Sequence, residues 1–415
     1  MVDFEYRCSA CGRSYKRDEV RYLCPDCGRA YRPGMPLCGV LCAEFDSGAI
    51  RRRFRKSDPD WSLFCAVEAR HFPPYPAGWT PFFRAEALGR AAGLPDTWIK
   101  NDALNPSGSL KDRASLLVAA EARRLGEGTI VAASTGNAAS SLAAVCAAGG
   151  LRAVIFVPRS APRAKLAQML IHGACVVPVD GTYDDAFRLS LEYTARHGGL
   201  NRNTAYHPLT IEGKKTAGLE IWMQNGWRAP SAVVVPTGDG VILAGVAKAF
   251  EDLLGARLIR ELPRIICVQA ERSDAIHRYI VTGRCRAARD PATIADSISV
   301  SVPSNAHLAR AAVIRSGGAS LTVSDREITE GQRLLAASSG VFAEPAAAAA
   351  AAGLLRLRGT GLAEPGDRVV VLVTGHGLKD VDAAMRGLRV PPAIRPNARG
   401  LEEAAERIRT WGEPT

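Results

Sequence analysis

The chain has 415 residues, 47% of them hydrophobic and 23% charged, so it exceeds one ordinary domain and can bury a large core while staying soluble. Lys and Arg number 53 against 42 Asp and Glu, a net charge of +11 that is dispersed along the chain and compatible with anionic ligands. No run of eighteen uncharged apolar residues is present, the nearest being Ala346 to Leu355, and no secretory apolar segment precedes Cys8, so a membrane-spanning or exported chain is not expected.

At the amino terminus, Cys8-Ser9-Ala10-Cys11 and Cys24-Pro25-Asp26-Cys27 are two CxxC pairs separated by twelve residues. Two thiolates three positions apart on a turn converge on one ion, and two such turns complete a tetrahedral site. Residues 1–36 therefore read as a zinc-ribbon-like module with Cys8, Cys11, Cys24 and Cys27 as ligands of one structural zinc; packed thiols are the plainer alternative. Cys38 and Cys42 are expected to be spectators, and the scatter of the other cysteines, eleven in all, fits a reducing, cytoplasmic setting. Residues 37–79 read as a linking region that carries the basic run Arg51-Arg52-Arg53-Phe54-Arg55-Lys56. Such a run can bind phosphates, but no aromatic-interleaved basic platform accompanies it, so a solvated linker is expected and a nucleic-acid binder is the rival.

Next comes Asn105-Pro106-Ser107-Gly108-Ser109-Leu110-Lys111-Asp112-Arg113, a turn that sets one lysine at the mouth of a packed helix. The positive end of a helix dipole lowers an amine's pKa, and such an amine is a usable nucleophile toward an aldehyde. Thr129 to Ala133 reads as a strand that ends in Ser134-Thr135-Gly136-Asn137 and opens a small-residue helix, whose first N–H groups face any docking anion. Strand and helix patterns then alternate: Ala153 to Val157 and Arg163 to Ile171, Cys175 to Val179 and Asp184 to Arg196, Ile265 to Ala270 and Asp274 to Val281. That rhythm predicts an α/β fold with mostly parallel sheets, whose ligands gather beyond the carboxyl ends of the strands. Val233-Val234-Val235-Pro236-Thr237-Gly238-Asp239-Gly240-Val241 is another strand and glycine turn before a helix, and Val369 to Val373 is a buried-type strand delivering Thr374-Gly375-His376-Gly377.

Together these segments resemble the threonine synthase branch of the fold type II pyridoxal-phosphate enzymes, from about Thr80 to about Asp382. Ile211 to Thr216 is similar to the branch's EGxKT run, Gly340 to Ala348 to its GxFxEPxxA run, and Thr374 to Asp380 to its TGxGLKD signature. The resemblance implies two doubly wound, mostly parallel sheet domains of the tryptophan synthase β-like architecture beside the small zinc ribbon. The larger would span 80–110 and 205–390, the smaller 111–204, with a terminal helix or tail at 391–415. It further implies that Lys111 carries pyridoxal 5'-phosphate as a Schiff base, that Asn137 bonds the cofactor's ring hydroxyl, and that Ser134 and Thr135 hold the substrate carboxylate. Thr237, Gly238, Asp239, Gly240 and Val241 would cradle the cofactor phosphate and Thr374 would face the pyridine nitrogen, where a hydroxyl makes a more moderate electron sink than a carboxylate.

The chain departs from the branch at Asp239, whose carboxylate must point away from a phosphate in that loop, and at Thr293 to Asn305, which lacks a clear match to the substrate-phosphate grip. The expected reaction is conversion of O-phospho-L-homoserine and water to L-threonine and phosphate, on a small phosphorylated amino-acid substrate and in a homodimer. The alternative is β-replacement or β-elimination on serine, phosphoserine or threonine, including a cysteate-synthase-like use of sulfite. Lys165 and Lys214 are weaker candidates for substrate contact, and Glu344 reads as helix-start chemistry.

Overall fold

The computed structural model describes residues 2–32, 34–159, 163–386 and 388–410, so residues 411–415 of the terminal segment lie outside the described residues. Near the amino terminus, β1 (Phe4–Cys8), β2 (Ser14–Lys16) and β3 (Leu41–Phe45) form an antiparallel sheet in the order β2-β1-β3. The module therefore takes its third strand from beyond residue 36. In β3, Leu41, Ala43 and Phe45 alternate inward, a period-two pattern too short to stand out in a segment read as linker. Asp46 then caps the short helix Ser47–Arg53, whose last turn holds Arg51, Arg52 and Arg53. Arg52 pairs with Asp46 and Arg53 with Asp60 at the surface, so much of this basic run is already matched by acids.

Two strands follow, β4 (Phe82–Arg84) and β5 (Thr97–Asn101), and then a run of four: β6 (Thr129–Ala133), β7 (Arg152–Pro158), β8 (Cys175–Val179) and β9 (Leu200–Asn201). The last run is β10 (Ala232–Pro236), β11 (Arg264–Ala270), β12 (Ala319–Val323) and β13 (Val369–Val373). The middle run makes a parallel sheet in the order β8-β7-β6-β9. The others make a larger sheet, β12-β11-β10-β13-β5-β4, parallel except where β4 meets β5. Every residue of β10 and β13 is buried, as expected of strands covered by helices on both faces and written almost entirely in valine.

The helix Lys111–Arg124 packs against both Asn137–Gly149, which follows β6 of the smaller sheet, and Leu209–Gln224, which backs the larger one. Its approach to Leu209–Gln224 is close enough that a Cβ on Gly213 would stand 2.5 Å from the Arg113 carbonyl oxygen. The glycine of the Glu212-Gly213-Lys214-Lys215-Thr216 run is thus a packing requirement. A buried ion network fixes the same contact. Arg113 donates through Nε and Nη2 to Asp102 at 2.6 and 2.8 Å and through Nη1 and Nη2 to Glu220 at 2.5 and 2.7 Å. Lys100 Nζ meets Glu220 from the other side at 2.6 Å. Glu220→Ala is expected to strand two buried cations and cost about 3–5 kcal/mol, read as a lowered denaturation midpoint; a midpoint unchanged from the parent would contradict the network's role.

Candidate active site

The loops after β6, β10 and β13 open on one side of the molecule, with Lys111 at the first position of its helix between them. A cavity of about 60 Å³ is lined by Lys111, Thr237, Gly238, Asp239, Gly240, Ser297, Glu344 and Thr374. Lys111, Asp239 and Ser297 also line an adjoining cleft of about 710 Å³, together with Ser134, Thr135, Gly136 and Asn137. Val241 lines neither space; its N–H closes the turn by donating to Asp239 Oδ1 at 3.0 Å.

The turn after β10 needs its glycines. Gly240 has φ +88°, and a Cβ there would lie 2.8 Å from Ala309 Cβ and 3.0 Å from the Asn305 carbonyl oxygen. At Gly238 a Cβ would lie 2.9 Å from Ile298 Cα. Asp239 bends back onto the helix it precedes, where its carboxylate meets the positive end of Val241–Gly255. It therefore turns toward a backbone donor while remaining on the wall of both spaces.

Glu344 is the residue that sequence reasoning undervalued. It stands at the start of Pro345–Arg356 without a side-chain cap bond, and its two carboxylate oxygens accept from Asn137 Nδ2 at 2.8 and 3.0 Å. A Cβ on Gly375 would run into that carboxylate, which explains the glycine after Thr374. The signal available in the sequence was the Glu-Pro pair of the Gly340 to Ala348 run, read there as helix-start chemistry alone.

The electrostatics around Lys111 are dominated by cations. Burial pushes the Lys111 amine below its usual range, Asp239 and Glu344 pull it back up, and Arg202 and Lys165 lower it further. Lys214 is fully buried with no hydrogen-bond partner for Nζ among the described residues, and burial holds it well below the lysine range despite the field of Asp239. Arg202 is pushed down to about 10, again chiefly by burial; its Nη1 donates to Thr204 at 3.0 Å and its Nη2 has no partner among the described residues. Lys165 is buried and bonded to Asp296 Oδ2 at 2.6 Å, so it is no solvated first-turn cation. Arg202 was missed because its neighbours Asn201 and Asn203 gave no motif.

The polar groups left open here fit pyridoxal phosphate. A buried amine at Lys111 can carry an aldehyde, and Asn137 Oδ1, buried and without a partner among the described residues, can accept from a ring hydroxyl. The turn before Val241 presents a helix amino terminus to a phosphate, with the unpartnered Lys214 among its near charges.

At the amino terminus the ligand atoms of Cys8, Cys11, Cys24 and Cys27 all lie within 4.8 Å of one another, and Cys11 Sγ to Cys24 Sγ is 3.9 Å. A zinc tetrahedron with bonds of about 2.3 Å has edges of roughly 3.8 Å, so the cluster is sized for one such ion. Cys38 and Cys42 are not part of it.

The fold and cleft are those of an enzyme that uses pyridoxal phosphate, and the chain belongs to the family described as pyridoxal-phosphate dependent enzymes, which matches residues 74–375. Curated relatives place it on the threonine synthase branch of that family. It is 34% identical to "Threonine synthase" of Methanocaldococcus jannaschii over 94% of this chain and 96% of that protein. It is 31% identical to "Threonine synthase" of Methanosarcina acetivorans over 97% and 98%. Among solved structures, a bacterial-type threonine deaminase from T.th. superposes with TM-score 0.62 at 26% identity, covering 75% of this chain and 94% of that one. Maize serine racemase, at 20% identity and TM-score 0.63 over 79% and 92%, shares the fold.

Gly375→Ala is expected to displace Glu344 from Asn137 and weaken pyridoxal-phosphate binding by about tenfold, about 1.4 kcal/mol, while leaving β-sheet circular dichroism unchanged. Cofactor titration followed by visible absorbance checks it, and parental affinity would remove Glu344 from any part in shaping the site.

Proposed function

We propose that this chain is a threonine synthase that converts O-phospho-L-homoserine and water to L-threonine and phosphate, losing phosphate from the γ carbon and adding water at the β carbon. The observation that carries the substrate class is the pair of buried cationic nitrogens without partners among the described residues, Arg202 Nη2 and Lys214 Nζ, in the field of a cleft large enough for cofactor and substrate together. A phosphorylated substrate on a phosphorylated cofactor needs two anion sites, and unpaired buried cations are stabilised when anions arrive.

Bound pyridoxal phosphate supplies an electron sink next to the substrate's α carbon, moderated when a hydroxyl and not a carboxylate faces its ring nitrogen. Thr374 is the residue assigned to that nitrogen. Lys111 Nζ takes the α proton; burial favours the neutral amine that this requires. Ser134 and Thr135, with the first N–H groups of Asn137–Gly149, hold the substrate carboxylate against a helix amino terminus. The turn from Thr237 to Val241 holds the cofactor phosphate, with Lys214 balancing Asp239, and Arg202 faces the substrate phosphate. One zinc at the four cysteines completes the assignment, in a cytoplasmic enzyme.

A second reading is β-elimination or β-replacement on serine, phosphoserine or threonine. Asp296 favours it, because it neutralises Lys165 at the cleft where a phosphate-binding enzyme gains most from a free cation. The cofactor-loaded protein given O-phospho-L-homoserine is expected to release L-threonine and inorganic phosphate in equal amounts, and Lys111→Ala to release neither. If O-phospho-L-homoserine is inert while L-serine, L-threonine, or O-phosphoserine with sulfite yields a keto acid or a replacement product, the second reading stands and the first is wrong.

A further inference from the structure

The 710 Å³ cleft has a wall that neither of the two larger sheets supplies. Tyr31, Gly34, Met35 and Leu37 of the amino-terminal module line it, opposite Tyr183 and Phe187 and beside Ser301 and Ser304. This wall is bonded in place. Leu37 N–H donates to the Ser304 carbonyl at 3.1 Å, and Leu37 and Val40 are buried in one cluster with Ala205, Ile211 and Val241. Val241 opens the helix that follows the glycine turn of the proposed cofactor-phosphate site, so the module touches both the cleft and its floor.

The same stretch is fastened to the four-cysteine cluster from both of its halves. The Cys24 N–H donates to the Gly39 carbonyl at 2.8 Å, and the Ser9 N–H, next to Cys8, donates to the Val40 carbonyl at 2.9 Å. Gly39, at φ +75°, passes so near the cluster that a Cβ there would lie 2.9 and 3.0 Å from Cys27 and Cys24 Cβ. A continuous path of backbone bonds and apolar contact thus runs from the thiolates, through Gly39 and Val40, to Leu37 and the cleft. A sheet of three short strands buries little surface of its own, and in such modules the metal's binding energy is the folding energy.

We propose that the four-cysteine centre holds the Tyr31 to Leu37 stretch as the third wall of the cleft, and that Tyr31, Met35 and Leu37 set which amino-acid side chains the cleft admits. Among the described residues, the wall offers one phenol and apolar surface and no cation. It excludes water and bulk, in contrast to the cationic Arg202 and Lys165, and it favours a short, unbranched substrate chain. This rests on the larger cleft being the site of catalysis, as proposed above.

The test uses the full-length, cofactor-loaded enzyme with its metal, the parent compared with Tyr31→Ala and Leu37→Ala, and the parent before and after stripping with a chelator. Both substitutions are expected to raise KM about tenfold with a smaller change in kcat and no loss of cofactor absorbance, the pattern of a lost binding surface. Metal loss is expected to raise hydrogen exchange in peptides covering 34–42 and 299–305 while 264–270 stays protected, and zinc returned to the protein is expected to reverse it. The exchange arm needs no substrate, so it decides the placement of the wall even if the threonine synthase reading fails. Exchange at 299–305 indifferent to metal, or parental KM in both variants, would overturn the proposal. So would a fall of kcat and cofactor occupancy in step with unfolding of the whole chain, which marks a centre that serves stability alone.

Discussion

Asn137 and Glu344 come from opposite sides of the cleft, one at the start of the helix after β6 of the smaller sheet and the other beside β13 of the larger. Their hydrogen bonds therefore fix how far apart the two sheets stand where the chemistry occurs. Two further links work in the same direction. Lys165, on the helix after β7, reaches Asp296, and Lys379, just after β13, donates to Ser140 at 2.9 Å and to Gln168 at 2.6 Å. All these side chains except Asp296 and Gln168 are buried, and leaving one such donor without a partner costs on the order of 1–3 kcal/mol. The position of Lys111 relative to the turn after β10 follows from that spacing.

The local charge balance explains why an acidic residue is tolerated in a loop that faces a phosphate. Asp239 is one carboxylate among Lys111, Lys214 and Arg202, and its own oxygen is held by the Val241 N–H. The site stays net positive with Asp239 present. Burial lowers the proton affinity of the cations, and the carboxylates at Asp239 and Glu344 partly restore it. Lys379 shows the same effect more simply: burial brings its amine down to about 8, against an opposing pull from Glu344. A cluster of amines poised in this way can exchange protons with a substrate near neutral pH.

Much of this was legible from residue order. The valine runs of β10 and β13, the glycine turns behind them and the small-residue helix after Asn137 each state one local requirement, and local requirements are what a sequence displays. The two CxxC pairs did the same for the metal cluster. What stayed hidden depends on contacts between distant segments. Glu344 meets Asn137 across 207 positions, and Arg202 becomes a candidate ligand only because helices bury it. The third strand of the amino-terminal sheet was hidden because its pairing with β1 spans 33 positions or more and its five residues carry no turn signal.

The central claim is that the cofactor is joined to Lys111 in this cleft. Treating the pyridoxal-phosphate-loaded protein with borohydride fixes any imine as a stable amine, and peptide mass spectrometry then reports which lysine carries the phosphopyridoxyl group. The account predicts that group on Lys111 alone. Its appearance on Lys165, Lys214 or Lys379 in place of Lys111, or on no lysine at all, would contradict the account.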